Sequence, residues 1–220
     1  MSDNHNLAKE LLPEPTLRRL PWYLAYVSLL KSKEVEYVSS TQIAKELNVD
    51  ASQIAKDLSF LSVKGKTRIG YKVDLLEREL QNFLGFKKGH NAVIVGVGSL
   101  GAALIQDSGL SHYGLNIVAG FDVNPAIIGQ EMCNVPIYDI SELEKKRKKL
   151  RAEIGIITVP VESAQDVADL MIASGIKALW NFTPFRIRVA AEDVVIQNTS
   201  IYSHLAVMYN RLGVKLRQTQ

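Results

Sequence analysis

The feature that most constrains this chain is Gly96-x-Gly98-x-x-Gly101, set directly after the apolar run Ala92-Val93-Ile94-Val95. A continuous Val/Ile run reads as a strand buried on both faces, and glycines at this spacing turn it into the start of a helix. Gly96 makes the tight turn, Gly98 lets main chain approach a pyrophosphate, and Gly101 lets the helix pack closely on the sheet. Val97, Ser99 and Leu100 complete the loop, where helix N–H groups and the macrodipole favour an anion. Asp122 closes the next strand, about 20 residues after Gly101, with Val123 beside it at the same rim. An acid there can hydrogen-bond both ribose hydroxyls and repels a 2′-phosphate, which favours NAD(H) over NADP(H). The same residues also admit a loop of structural glycines, or a site for another adenine cofactor.

Beyond this motif the chain alternates short Val/Ile runs with helical stretches, the pattern of a parallel α/β sheet. Strands are expected at 116–122, 135–138, 154–159, 177–181 and 194–197, with helices at 99–107, 140–150, 162–174 and 203–212. Thr158-Val159-Pro160 and Asn181-Phe182-Thr183-Pro184 follow two of these strands, where open α/β sheets present ligand contacts. They fit a cofactor rim, with Asn181 bonding a carboxamide or ribose, and they also fit ordinary strand exits. The run Glu144–Arg151 is densely basic, and a solvated helix face accounts for it better than a nucleic-acid site.

The first part of the chain has a different texture. A polar tail runs to about Pro15, then a helix over 17–31 carries Leu20, Leu24, Val27 and Leu30 on one face, with Pro21 near its start. Ser39-Ser40-Thr41-Gln42 opens a short helix as a capping box, and Asp50 caps the next, over 51–61. Its buried stripe is Ile54, Leu58 and Leu61, and its other face is small and polar: Ser52, Gln53, Ala55, Lys56 and Ser59. A glycine-punctuated hairpin follows, Val63 to Tyr71, carrying Lys64, Lys66 and Arg68. Two short helices joined by a tight turn and followed by a basic ribbon make a winged helix. Ser40, Ser52, Gln53, Lys56 and Ser59 are placed toward DNA bases or phosphates, and Lys64, Lys66, Arg68 and Tyr71 along the backbone. A winged helix that binds protein through a solvated charged face is the other possibility.

Composition narrows the rest. The chain has 220 residues, 47% hydrophobic and 22% charged, enough for one large or two small domains with real cores. Its net charge of +3 is too mild to announce a nucleic-acid binder, so the clustering at 56–72 matters more. One cysteine, Cys133, excludes an intrachain disulfide and a thiolate metal cage, and is expected to be a small buried or neutral thiol. No apolar stretch approaches the ~20 residues of a membrane span, and Met1 to Glu10 do not read as a leader, so a cytoplasmic protein is expected. There is no Tyr-x-x-x-Lys, and His5, His90, His112 and His204 form no recognisable constellation, which argues against a nicotinamide enzyme with a catalytic residue. A small NAD-dependent oxidoreductase with an accessory N-terminal domain remains the alternative. A third possibility is a regulator answering to a different adenine-bearing effector.

Taken in order, several motifs resemble the Rex family of bacterial redox-sensing transcriptional repressors. They are Ser39-Ser40-x-x-Ile43-Ala44, Lys56-Asp57-Leu58-Ser59-Phe60, Gly70-Tyr71-x-Val73, Val95-Gly96-x-Gly98-x-Leu100-Gly101, Phe121-Asp122-Val123-Asn124-Pro125, Thr158-Val159-Pro160 and Asn181-Phe182-Thr183-Pro184. The resemblance implies an α/β chain in three parts: a winged-helix DNA-binding domain (1–85), a Rossmann-type NAD(H)-binding domain (86–200) and a C-terminal dimerising helix exchanged between subunits (201–220). It further implies a homodimer on operator DNA that represses fermentation and respiration genes, that NADH releases and that NAD+ leaves in place. The dinucleotide is then an effector, and neither a metal nor a membrane is involved. Many members carry Arg where this chain has Ala55. The family's interdomain polar contact, an Arg, a Tyr and an Asp, falls here on Ala25, Asp107 and Ser200.

Overall fold

The computed structural model describes residues 12–189 and 193–217. The polar tail through Leu11, including Met1 to Glu10, lies outside the described residues. The chain divides into two compact units, one ending at Lys88 and the other starting at Gly89.

In the first unit, helix α1 (Glu14–Ser32) starts three residues earlier than its apolar periodicity suggests. Pro13 precedes it and Pro15 sits in its first turn, where a fixed φ favours helix and a missing N–H costs nothing. Pro21 therefore lies in the helix interior, not near its start, and the carbonyl it deprives of a partner belongs to Leu17 on the exposed side. A short strand β1 (Tyr37–Val38) leads to α2 (Ser40–Leu47), entered through the expected capping box: Ser39 Oγ accepts from Gln42 N–H while the Gln42 side chain accepts from Ser39 N–H. Asn48, left-handed at φ 51°, ends α2, and Asp50 caps α3 (Ala51–Ser59). Strand β2 (Tyr71–Lys72) pairs antiparallel with β1, and α4 (Val73–Phe83) closes the unit. Leu20, Tyr23, Leu24 and Val27 of α1 meet Ile43, Ile54, Leu58, Leu76 and Leu80 in one core.

The second unit is built on a seven-stranded sheet. Its strands are β3 (His90–Val95), β4 (Leu115–Asp122), β5 (Glu131–Met132), β6 (Val135–Asp139), β7 (Ile154–Ile157), β8 (Ala178–Asn181) and β9 (Val195–Asn198). They lie in the order β5-β6-β4-β3-β7-β8-β9, all parallel except the β5–β6 hairpin. Strand order reverses between β3 and β7, the switch point where doubly wound sheets open a crevice at their carboxyl ends. Alternation along β3 sends Val93 and Val95 to one face and Ala92 and Ile94 to the other. Helix α5 (Ser99–Gln106) packs through Ile105 on the Ile94 face. Helix α7 (Leu143–Leu150) and α8 (Ala164–Ala173) pack through Leu143, Ala168 and Met171 on the other. Short α6 (Ser108–His112) precedes β4, and α9 (Ile201–Arg217) ends the described chain.

The basic run lies on α7, largely solvated, with Lys148 paired to Glu144 and Lys146 over the Tyr138 ring. Cys133 corrects an expectation. It is exposed at the β5–β6 turn with φ 49°, because the two-residue hairpin turn needs positive φ at both Cys133 and Asn134. Among the described residues no helix is long and apolar enough to cross a membrane, and no group of three or more His, Cys, Asp or Glu could hold a metal ion.

Candidate functional site

The three glycines occupy three different environments. Gly96 has φ +91°, and a Cβ there would lie 2.8 Å from the Thr158 carbonyl, so the turn out of β3 requires glycine. A Cβ on Gly101 would come within 2.0 Å of the Gly96 oxygen, the close approach of α5 to its own entry loop. A Cβ on Gly98 would meet nothing within 4 Å. Gly98 is the N-cap of α5 and no side chain caps it, so the first-turn N–H groups are left without a side-chain acceptor. These are the properties of a cradle that keeps room for a ligand phosphate.

Asp122 anchors the rim. Its Oδ2 accepts from Val97 N–H at 2.6 Å, and its Oδ1 accepts from Val123 N–H at 2.8 Å and Asn124 N–H at 2.9 Å. The carboxylate is fixed beside the glycine loop, with one acceptor site on Oδ2 left for a ribose hydroxyl. Val123 stands exposed next to it, and Ser99 and Leu100 are exposed at the start of α5. Thr158 faces inward: its hydroxyl donates to the Gly96 carbonyl at 2.6 Å and ties the end of β7 to the loop after β3. Val159 is half-buried and Pro160 exposed at that rim.

Asn181 departs from its expected contact. It is fully buried, its Nδ2 donates to the Phe185 carbonyl and to Asn198 Oδ1, and its Oδ1 accepts from Thr183 N–H. Both amide protons are spent inside the protein, so Asn181 shapes the loop after β8 rather than presenting a donor to a carboxamide or ribose. Thr183 is buried in the same loop, and Phe182 packs against Trp180 with ring centroids 4.6 Å apart.

In the first unit the predicted face is assembled on α3 and the hairpin. Ser52, Lys56 and Ser59 are exposed, and Ser40 is half-buried at the start of α2. Ser52 Oγ is bound to Asp50, and Ser59 Oγ donates to the Lys56 carbonyl. The hairpin is shorter than a ribbon: a single bridge, Lys66 to Gly70, holds a tight loop that exposes Lys64, Lys66 and Arg68. Gly70 has φ +100°, and a Cβ would strike the Val38 carbonyl at 2.3 Å. The Tyr71 ring lies against Gly65, and Lys66 Nζ sits 5.5 Å from the Tyr37 ring centroid. Tyr71 thus braces the wing from inside, half-buried, while the three cations project.

Sequence reasoning missed Asp57. It lies on the apolar stripe of α3, between Ile54 and Leu58, and is fully buried. Arg19, Tyr23, Thr16 and Gln53 all donate to it. Burial alone would raise its pKa, but the Arg19 guanidinium and the other three donors outweigh burial and hold it at about 2. A charged residue on a buried helical stripe was the available signal. Gln53, assigned to DNA, spends an amide proton on Asp57 at 2.8 Å.

Two of the three positions where the chain departs from the expected interdomain contact do local work. Asp107 caps α6 by accepting from Gly109 N–H at 2.8 Å, and Ser200 Oγ accepts from Ser203 N–H at the start of α9. Ala25 is exposed on α1. No residue of α9 is buried, and Tyr202, Val207, Met208, Tyr209, Leu212 and Leu216 are at least half exposed.

Comparison with known proteins bears on both units. Residues 12–59 match the family model described as putative DNA-binding protein N-terminus, and residues 87–185 match the CoA binding domain model. The redox-sensing transcriptional repressor Rex of Bacteroides fragilis is 61% identical over 202 residues, covering 92% of this chain and 91% of the relative. That of Porphyromonas gingivalis is 55% identical over 212 residues, covering 96% and 97%. Among solved structures, RSP in complex with beta-NAD+ and operator DNA superposes with a TM-score of 0.88 at 32% identity, covering 95% of this chain and 96% of that one. RSP in complex with beta-NADH gives 0.84 at 31% identity, covering 96% and 99%.

Proposed function

The chain belongs to the Rex family of redox-sensing transcriptional repressors, and we propose that it binds operator DNA as a homodimer that holds on with NAD+ and lets go with NADH. It is a regulator and not an enzyme, so the dinucleotide acts as an effector and no hydride is transferred. The observation that carries the site assignment is the open space at Gly98, flanked by the fixed Asp122 carboxylate. Gly96 to Gly101 supply the N–H groups for a pyrophosphate, and Asp122 accepts from the ribose diol, with Val123 at its side. Thr158, Val159 and Pro160 border the crevice, and Asn181, Phe182 and Thr183 shape it without a free Asn181 donor. The likeness to a CoA binding model fits the same βαβ cradle, which takes adenine nucleotides of several kinds.

On the DNA side, α3 enters the major groove with Ser52, Lys56 and Ser59, and Ser40 supports it from α2. Lys64, Lys66 and Arg68 hold the sugar-phosphate backbone, with Tyr71 setting the base of the wing. The exposed apolar face of α9 is the dimerising surface, since a helix with Tyr209 and Leu212 in water needs a partner. Twin reading heads then match a pseudo-palindromic operator upstream of fermentation and respiration genes in the cytoplasm. The boundaries are a winged helix over 1–85, a cofactor domain over 86–200 and the exchanged helix over 201–220.

The switch is a linkage problem. An effector changes operator affinity only by its differential affinity for the two dimer arrangements. NAD+ and NADH differ in charge and ring shape at the nicotinamide, so the residues around that end carry the discrimination. A titration of the Gly98→Ala protein tests the assignment: NADH affinity falls at least tenfold while the protein stays folded. An unchanged affinity would contradict it.

A further inference from the structure

We infer that Asp139 acts together with Asp122 to exclude a 2′-phosphate, making the pair the determinant of NAD(H) over NADP(H); this rests on the dinucleotide reading of the Gly96–Gly101 cradle. β4 and β6 run parallel with Gly120 opposite Ile137, Phe121 opposite Tyr138 and Asp122 opposite Asp139. Partners in a parallel register project to the same face. The neighbours bear this out. The Phe121 and Tyr138 rings lie 5.9 Å apart on one face, and a Cβ on Gly120 would sit 3.6 Å from Ile137 and 2.9 Å from Val97 on the other. Asp122 and Asp139 therefore share the Val97 face, at the carboxyl ends of strands about 4.8 Å apart.

Both carboxylates are fixed and charged. Asp122 is held by three backbone N–H groups, and Asp139 Oδ1 accepts from Ser141 Oγ–H at 2.6 Å and Ser141 N–H at 2.9 Å. The Ser141 bonds favour the ionised form and keep the Asp139 carboxyl below its ordinary range. No ion pair among the described residues includes either acid. The cation on β6's other side, Lys146, sits 3.6 Å over the Tyr138 ring and pairs with Glu142, so it faces away from Asp139. Val123 and Asn124, next in the chain after Asp122, offer no positive charge either. A ribose diol donates to one carboxylate and is indifferent to a second. A 2′-phosphate, with close to two negative charges, is repelled by both.

The test is a binding titration of the full-length protein with NADH and with NADPH, for the wild type, Asp139→Asn and Glu142→Gln. Asn is as good a cap as Asp, so the turn at Ser141 is retained. Asp139→Asn tightens NADPH about fivefold, changes NADH less than twofold, and the gain shrinks as salt is raised. Glu142→Gln changes neither affinity. An unchanged NADPH to NADH ratio in Asp139→Asn overturns the inference, and so does an equal shift in Glu142→Gln. A wild type that binds neither dinucleotide overturns the cradle reading and this inference with it.

Discussion

Asp57, wholly buried on α3, accepts a two-pronged hydrogen bond from Arg19 on α1, Nε to Oδ2 at 2.6 Å and Nη2 to Oδ1 at 2.8 Å. The pair fixes the angle at which α3 leaves the core, and Tyr23, Thr16 and Gln53 complete the carboxylate's shell. Removing the charge leaves the Arg19 guanidinium, largely shielded from water, without its counterion. Asp57→Asn is expected to cost about 3 kcal/mol of unfolding free energy, read by denaturant titration.

The same carboxylate sets an acid limit. Its folded pKa of about 2 lies below the ordinary 3.8, so it contributes stability that is fully present above pH 4. That contribution, about 2 kcal/mol, is lost as pH falls from roughly 4 toward 2. Unfolding free energy measured across that window declines more steeply in the wild type than in Asp57→Asn. Parallel curves would contradict the assignment.

Gly98 and Gly101 look alike in sequence and are expected to behave in opposite ways. Gly101→Ala drives a methyl into the Gly96 carbonyl and destabilises the second unit by about 3 kcal/mol. Gly98→Ala meets nothing, costs about 1 kcal/mol or less at a helix N-cap, and loses dinucleotide binding instead. Thermal melts with and without NADH separate the two. Asp122→Ala follows the Gly98 pattern, with NADH affinity down ten- to a hundredfold and operator binding by the ligand-free protein within about threefold of wild type, as expected from losing charge-assisted hydrogen bonds at one site.

The exposed side chains of Lys66 and Arg68 project from the wing, and Lys66 also reaches the Tyr37 ring. Replacing both by Ala is expected to weaken operator binding ten- to a hundredfold and to flatten the slope of log K against log salt by about two units, roughly one per phosphate contact. NADH affinity stays unchanged, because the cradle lies in the other unit.

Much of this was legible from the residues because the signals were local. The Ser39/Gln42 capping box and the Asp50 cap fixed where α2 and α3 begin, and the Val93–Gly101 stretch fixed strand, turn and helix together. What was hidden depended on partners far along the chain. Asp57 is defined by Arg19, 38 positions away, and Asn181 is buried by Phe185 and Asn198, so a polar residue at a strand exit proved to be internal. Asp139 gains its meaning only from a register that sets it beside Asp122. Cys133 was misread because its exposure follows from a two-residue turn between β6 and β5, and β5, at two residues, is too short to announce itself.

The central claim is that the oxidation state of the nicotinamide decides how firmly the dimer grips DNA. It is tested most directly by titrating the protein onto an operator fragment at fixed salt, with NAD+ and NADH varied independently. The account predicts that saturating NADH weakens binding at least tenfold relative to saturating NAD+, a coupling of about 1.4 kcal/mol or more. Identical operator affinity in the two redox states, with both dinucleotides shown to be bound, would contradict it.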